Sequence, residues 1–514
     1  MISTASLKAG INENIFKELK TRAERMNTKQ KLCLLLFDEI SLMPHFDYNR
    51  KRDAIIGFVD NGEVTHNKIA DHALVFMIRG IYYNYKQAVA YTFCAGSTSK
   101  AELAAQIKNI IRKLNSAGFK VMGTICDQGC ANVSAINYLI EQTKEKYLKN
   151  NIEQRNKVFE IDDEEIIPIY DTPHLLKGIR NNLLTKNLKC KIGGEEKTAK
   201  WEHVLQLYKE DPAYQGIRLM PKLTDKHVVP EKIAKMKVKC ASQLFSQSVS
   251  VNMGYLASKG IISKDCKETA DLFLFLDNLF DSLNGSHKNS KKRSGKPLLG
   301  PVTPSSGHHK IWREAKEVLK TMKFVTSNGY TVVPSITNWL QSIENIEYLV
   351  QKIFTQYDLA SLWMRHFNQD PLENFFGSIR SHGYRNITPS CAGFEAAFSS
   401  LLINNLSANH SPGSNCEQDS CTVFQSINNI FFEKSEDNNF LIEIDDDLLL
   451  NDNILIDIEI KKRNAKTFAQ LQYVAGWCKD VNKIINGART DVDQEDSIQI
   501  MAFDYNKKRI KRKK

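Results

Sequence analysis

The sequence predicts an α/β protein, a mixed sheet layered with helices and followed by a mostly helical region. Three observations carry this. The stretch LCLLLFDEI, residues 32–40, joins an unbroken apolar run to two acids. Strand-like and helix-like patterns alternate from residue 31 to 171, and from about residue 184 to about 350 helical patterns replace that alternation. Continuous apolar runs are the signature of strands buried on both faces, and a carboxylate follows such a run inward only when it is paired or holds a cation.

Taken in order, three strands are expected first: 31–38, DAIIGFVD at 53–60, and HALVFMIRG at 72–80, the last continued by AVAYTFCA at 88–95. Each is rich in β-branched or aromatic residues and bounded by polar or glycine punctuation. KAELAAQIKNIIRKLNSAG then reads as a helix, with Leu103, Ile107, Ile110, Ile111 and Leu114 on one face and Gly118 placed to stop it. KVMGTICD is a strand running into Asp127, ANVSAINYLIEQTKEKYL a helix, and EEIIPIYD a strand ending in Asp171. The order β-β-β-α-β-α-β is that of a ribonuclease H-like (retroviral integrase-like) layer sandwich, and several other mixed sheets satisfy it equally. Beyond it, helices are expected over PEKIAKMKVKCASQLFSQSVS, TADLFLFLDNLFDSLNG and IENIEYLVQKIF, with a basic loop at 285–307.

At 514 residues the chain is long enough for several cores, and its 42% hydrophobic and 25% charged residues are ordinary for a globular protein. No window has ~18 consecutive apolar residues and the N-terminus lacks a basic flank before an apolar stretch, so neither a membrane span nor a signal peptide is expected. The 11 cysteines, without a C-x-x-C pair, fit reduced thiols better than a disulfide framework or a structural zinc site. The net charge of +11 is uneven: residues 433–459 hold ten acids and one lysine, leaving +20 on the remainder. That excess suits a polyanion partner, or simply a basic protein with an acidic loop. The terminal KKRIKRKK, residues 507–514, reads as a nuclear address, a DNA-touching tail or a solubilising end.

A nuclease of this fold needs three acids, one on the first strand, one at the end of the fourth and one on a late helix. Asp38 and Asp127 fit the first two, and FNQDPLENFFGSIRS supplies Glu373 for the third. There Pro371 suits a first helical turn and Asp370 is placed to cap it. Leu372, Phe375, Phe376 and Ile379 form an apolar face, while Glu373, Gly377 and Arg380 stand in line on another. Any one of these acids alone reads as a cap or surface residue; three at the fold positions point to a divalent-metal site with hard oxygen ligands.

LLFDEISL, IIGFVDNG, ALVFMIRG, VMGTICDQGCANVSAINYL, YDTPHLLKGIRNNLL, KLTDKHVVPEKIAKMKVKCASQLFS, LFDSLN and FNQDPLENFFGSIRSHGY resemble, in order and spacing over residues 15–405, the P-element-type transposases and the THAP-domain proteins related to them. The resemblance implies a DDE-type DNA transposase: a ribonuclease H-like core interrupted by a mostly helical domain that binds GTP, acting with Mg2+ or Mn2+ on transposon ends and target DNA, as a homo-oligomer in the nucleus. Asp38, Asp127 and Glu373 match the catalytic, metal-holding positions, and Asp171, His174 and Arg380 are expected around them. No GxxxxGK[ST] occurs, so a P-loop is excluded. Asp277, Asp281 and Asn284 line up at i, i+4 and i+7, which fits either a polar ridge or carboxylates matched to the N1 and N2 donors of guanine. With the resemblance, Asp277 and Asp281 are expected near the base, Asn284 among the nucleotide contacts, Lys222, Lys226 or Lys235 near phosphates, and Asp370, adjacent to the catalytic helix, facing the nucleotide site.

The expected divisions are a helical N-terminal remnant at 1–30, core at 31–183, insertion at 184–350, core with Glu373 at 351–410, and a C-terminal segment at 411–514. Family members begin with a zinc-coordinating THAP module, and here no cysteine precedes Cys33. SHGYRNITPS also departs from the family pattern after the catalytic helix, and the C-terminal region shares only LQYVAGWC with it. The alternative reading is a domesticated DNA- or chromatin-binding protein without cutting activity.

Overall fold

The computed structural model describes residues 7–49, 52–153, 156–211, 218–287, 295–327, 329–382, 387–404 and 422–423. The acidic segment and the basic tail lie outside these residues.

The central sheet runs, in spatial order, Phe159–Ile161, Glu164–Tyr170, Lys120–Cys126, Leu32–Ser41, His72–Gly80, Tyr85–Cys94, Phe58–Asp60 and Thr65–Ile69. Leu32–Ser41 pairs in parallel with Lys120–Cys126, which pairs in parallel with Glu164–Tyr170; on its other side it pairs antiparallel with His72–Gly80. This is the ribonuclease H-like arrangement, with three parallel strands whose carboxyl ends carry Asp38, Asp127 and Asp171. Leu32 to Phe37 are fully buried, as a strand covered on both faces demands.

Two strand expectations shift. The stretch 53–60 is two short strands, Ala54–Ile56 in a hairpin with Asp47–Asn49 and Phe58–Asp60 at the sheet's edge. Gly57, at φ +129°, makes the break, and a Cβ there would lie 2.3 Å from the His45 carbonyl oxygen. The third central strand is therefore Tyr85–Cys94, separate from His72–Gly80 and antiparallel to it.

The helix Lys100–Ser116 is capped by Ser99, whose Oγ accepts from the Glu102 N–H, and ends at Gly118 with φ +92°. Its predicted face is buried against the sheet, each aliphatic side chain contributing roughly 1.5–3 kcal/mol. The N-terminal helix Glu13–Glu24 buries Ile15, Phe16, Leu19 and Ala23 in this same core, so it is built into the layer rather than standing apart.

The helix Pro334–Tyr357 belongs to the core as well. Its Ser342 Oγ accepts from the Tyr170 N–H at 2.9 Å and its Asn345 Nδ2 donates to the Pro168 carbonyl at 2.7 Å. These side chains satisfy the part of strand Glu164–Tyr170 that extends beyond its pairing with Phe159–Ile161 and would otherwise be left open. The expected division at 350/351 thus falls inside a helix that flanks the central sheet.

The inserted region is mostly helical but has a four-stranded antiparallel sheet at its base, Glu195–Ala199, Asn187–Ile192, Lys323–Thr326 and Gly329–Thr331. Leu188 pairs with Phe324, both fully buried, so the chain is zipped together where it leaves and returns. These strands are short and charged (NLKCKI, EEKTA), which hid them from a reading by apolar alternation. The helix expected over 230–250 is instead a short 3-10 turn and two helices, Val238–Leu244 and Gln247–Ser258.

Candidate functional site

Asp38 stands half-buried on the first strand, its Oδ1 accepting from the Glu39 N–H at 2.8 Å. Asp127 follows the parallel neighbour strand, and its Oδ1 accepts from the Gly129 N–H at 2.8 Å and Asn132 Nδ2 at 2.7 Å. A Cβ at Gly129 would lie 2.9 Å from that oxygen, so glycine is what lets the turn close over the carboxylate. Glu373 sits in the first turn of helix Asp370–Ser381. Burial, and then the charges of Asp127 and Glu373, push the Asp38 carboxyl well above its usual range. Glu373 is raised too, chiefly by burial, with His174 and Arg380 acting in the opposite direction. The three expected acids therefore lie within Coulomb reach of one another.

Asp171 and Gln369 stitch these elements together. The Asp171 carboxylate caps helix Thr172–Leu183 through the His174 N–H (3.1 Å) and accepts from the Gln369 N–H (2.7 Å). Gln369 Nε2 in turn donates to the Phe37 carbonyl at 3.0 Å, the peptide just before Asp38. Burial pushes Asp171 up to about 7 despite these bonds. His174 Nε2 lies 3.7 Å from Glu373 Oε1, and its Nδ1 is buried without a hydrogen-bond partner. Burial and the charge of Lys177 lower the His174 pKa. Lys177, one helical turn on, feels the charges of Glu373, Asp171, Asp127 and Asp38, and burial lowers its own pKa.

Sequence reasoning passed over Gln369 and Lys177; Lys177 was within reach of it, standing in line with His174 at i+3 in YDTPHLLK. The expected cap is corrected: Gln369 precedes the helix, while Asp370 is its first residue and binds Arg365 Nη2 at 2.6 Å and Asn368 Nδ2 at 3.1 Å.

Among the described residues no three His, Cys, Asp or Glu side chains are gathered closely enough to enclose a metal ion. The donor chemistry nonetheless fits one. Two carboxylates are raised by burial and by like charges, and a hard divalent cation is the partner that relieves such a cluster.

A second site lies in the inserted region, a cavity of ≈ 600 Å³. Asp277, Asp281, Asn284 and Lys222 line it. Phe280 and Leu299 add apolar surface, while Lys239, Ser242, Ser246 and Ser248 add a cation and hydroxyls on other elements. The volume and mixed lining are those of a small-molecule pocket. Lys226 and Lys235 are not among the lining residues. The segment between them folds back, the Ala234 N–H donating to the Lys226 carbonyl at 3.2 Å, and the Lys235 carbonyl is held by Arg180 Nη2 at 2.9 Å. Asp370 is not a lining residue either, being engaged by Arg365, but Asn368 links it to Asn284 Oδ1 at 3.3 Å. Lys296, unsuspected from sequence, donates to Asp277 Oδ2 at 2.7 Å and Asp281 Oδ2 at 2.6 Å and also lines the cavity.

Known proteins resemble this chain in sequence and fold. Residues 7–140 match the family model of a TNP-like RNase H N-terminal domain, 173–297 that of a TNP-like GTP-binding insertion domain, and 366–399 that of a TNP-like RNase H C-terminal domain. The Transposable element P transposase of Drosophila melanogaster is 24% identical over 464 residues, covering 88% of this chain and 56% of that protein. DNA transposase THAP9 of Homo sapiens is 25% identical over 419 residues, covering 78% of this chain and 44% of that protein. The chain thus spans about half the length of the curated relatives it matches. The solved Drosophila P element transposase strand transfer complex shares the fold, with a TM-score of 0.62 at 21% identity over 78% of this chain and 83% of that one.

Proposed function

The chain belongs to the P-element-type transposase family, and from that membership we propose that it is a DDE-type DNA transposase core that cuts and joins DNA at a divalent-metal site with GTP as cofactor. The observation that carries the reading is the convergence of Asp38, Asp127 and Glu373 from two strands and a distant helix, with Asp38 raised first by burial and then by the charges of the other two.

In this reading Asp38, Asp127 and Glu373 hold Mg2+ or Mn2+. Such an ion lowers the pKa of an attacking water or 3′-hydroxyl and offsets charge developing on the phosphate. The chain's own residues set the geometry. Gly129 and Asn132 fix the Asp127 carboxylate, and Gln369 ties the helix of Glu373 to the strand of Asp38. Asp171 anchors Gln369 from below, and His174, kept neutral by burial, flanks Glu373. Lys177 brings positive charge toward these acids. GTP would occupy the insertion's cavity, and the work would be done in the nucleus.

The test is strand transfer of a pre-cleaved DNA end into plasmid, with Mg2+ or Mn2+, with and without GTP, comparing the natural chain with Glu373→Gln. Joined product that needs the metal and vanishes in the variant supports the enzyme. A folded chain that binds GTP and DNA yet joins nothing overturns it in favour of a DNA-binding role without cutting.

A further inference from the structure

In a two-stranded ribbon successive side chains point to opposite faces, and the face turned to water is normally polar. The hairpin of Asp47–Asn49 and Ala54–Ile56 departs from that. Tyr48 and Ile55 stand directly opposite each other in its register and are 61% and 57% exposed, while the neighbouring Ile56 is buried. Met43 and Phe46, just before the hairpin, are exposed as well, so large apolar side chains gather at the surface along residues 43–55. A gathered patch of this kind marks a contact surface, which scattered single residues do not.

The patch is held firmly beside the acids. The hairpin follows the carboxyl end of strand Leu32–Ser41, which carries Asp38. The Met43 N–H donates to the Pro389 carbonyl at 3.0 Å and Ser390 Oγ donates to Asp47 Oδ2 at 2.9 Å, which fastens the hairpin to the start of helix Cys391–Asn404. Phe398 of that helix packs edge-on against Phe375 of the helix carrying Glu373, with ring centroids 5.7 Å apart. Within the hairpin the Tyr48 hydroxyl donates to the Asp53 carboxylate, and Phe46 packs on Phe58 with centroids 4.6 Å apart.

We propose that Tyr48 and Ile55 form a stacking platform for an unpaired base of the DNA strand whose phosphate reaches the acid site. This rests on the DNA-cutting reading given above. Every base has a π-face, so an exposed ring beside an aliphatic side chain holds one without reading its sequence. Of the four residues that join the two strands, Arg52 is held by Glu395 and Asp53 by Tyr48, and the other two, Arg50 and Lys51, are basic. That composition suits a polyanion better than an apolar protein surface.

The test is fluorescence anisotropy at fixed ionic strength with the full chain, Tyr48→Ala and Tyr48→Phe, using a labelled single-stranded oligonucleotide and a blunt duplex of the same sequence. Affinity for the single strand is expected to fall about tenfold in Tyr48→Ala and less than about twofold in Tyr48→Phe, which keeps the ring, while the duplex changes less than about twofold in either. If Tyr48→Ala does not fold, Ile55→Ser, which keeps the Tyr48 contact with Asp53, is expected to lose about threefold on the single strand alone. Unchanged single-strand affinity in folded Tyr48→Ala overturns the proposal, and a smaller oligomer by light scattering would then assign the patch to a contact between copies. An equal loss on the duplex overturns it too, in favour of a general backbone contact. In both cases the DNA-cutting reading still stands. A natural chain that binds neither DNA removes the proposal together with that reading.

Discussion

The acid site and the insertion's cavity solve the same electrostatic problem in opposite ways. Both bring aspartates out of water next to other acids. In the cavity the protein supplies its own cation, Lys296, at hydrogen-bond distance from both carboxylates. At the acid site the nearest cations, Lys177 and Arg380, act from a distance, and Asp38 and Glu373 stay raised. A compensated pair carries its own counter-charge and makes no further demand for one. An uncompensated cluster is left with a demand for charge, which is what a metal site needs before its ion arrives.

The contrast can be broken most sharply through activity. Glu373→Gln is expected to lower strand transfer by about 10³-fold or more in a product assay, because under the proposed function one of three metal-holding acids is lost. Removing the cation from the cavity is next in size: Lys296→Met is expected to cost about 3 kcal/mol in denaturant unfolding, since it takes the cation from between two buried carboxylates. Supplying a cation to the acid site does the reverse. Mg2+ at a hundred times its Kd should stabilise the chain by about 2.7 kcal/mol, visible as a raised Tm, and the gain should be absent from Asp38→Asn.

The smallest expected effect has the most telling sign. Asp38→Asn should stabilise the metal-free chain by about 1 kcal/mol at neutral pH, since it removes a carboxyl whose ionisation burial and two acids oppose. The pH window follows from the raised pKa. The natural chain's penalty is absent below about pH 4, where the unfolded carboxyl is also protonated, and grows as pH rises toward the folded pKa. Asp171, pushed up to about 7, adds to this same loss between about pH 4 and 7. Melting curves across that range should therefore show the gain of Asp38→Asn appearing only above about pH 4. A uniform gain at all pH values would assign it to packing instead.

One helix touches both regions. Val238, at the start of Val238–Leu244, borders a crevice with Asp171, His174, Gln369 and Glu373, while Lys239, Ser242 and Gln243 from the same helix line the cavity. Together with the Asn284–Asn368–Asp370 contacts, it makes the two sites neighbours in the fold although their chemistries differ.

Much of the framework was legible in the sequence because it repeats. The face Leu103, Ile107, Ile110, Ile111 and Leu114 follows the 3.6-residue period, and Leu32 to Phe37 follow the pattern of a strand covered on both sides. An acid at the end of such a strand, or one turn after a helical proline, stands out against a regular background, which is why Asp38, Asp127 and Glu373 could be named. The split at Gly57 and the strands near residues 190 and 325 were not legible, because a bend at one glycine and short charged strands carry no period.

What only the tertiary structure decided are the contacts that give those residues their setting. Gln369 reaches the Phe37 carbonyl across 332 positions, and Lys296 meets Asp277 and Asp281 from a basic loop whose composition suggests only solvent exposure. Periodicity reports which face of an element is buried, since burial repeats with the element's own geometry. Which single polar side chain arrives to satisfy a buried partner depends on how distant elements are stacked, and no local pattern encodes that.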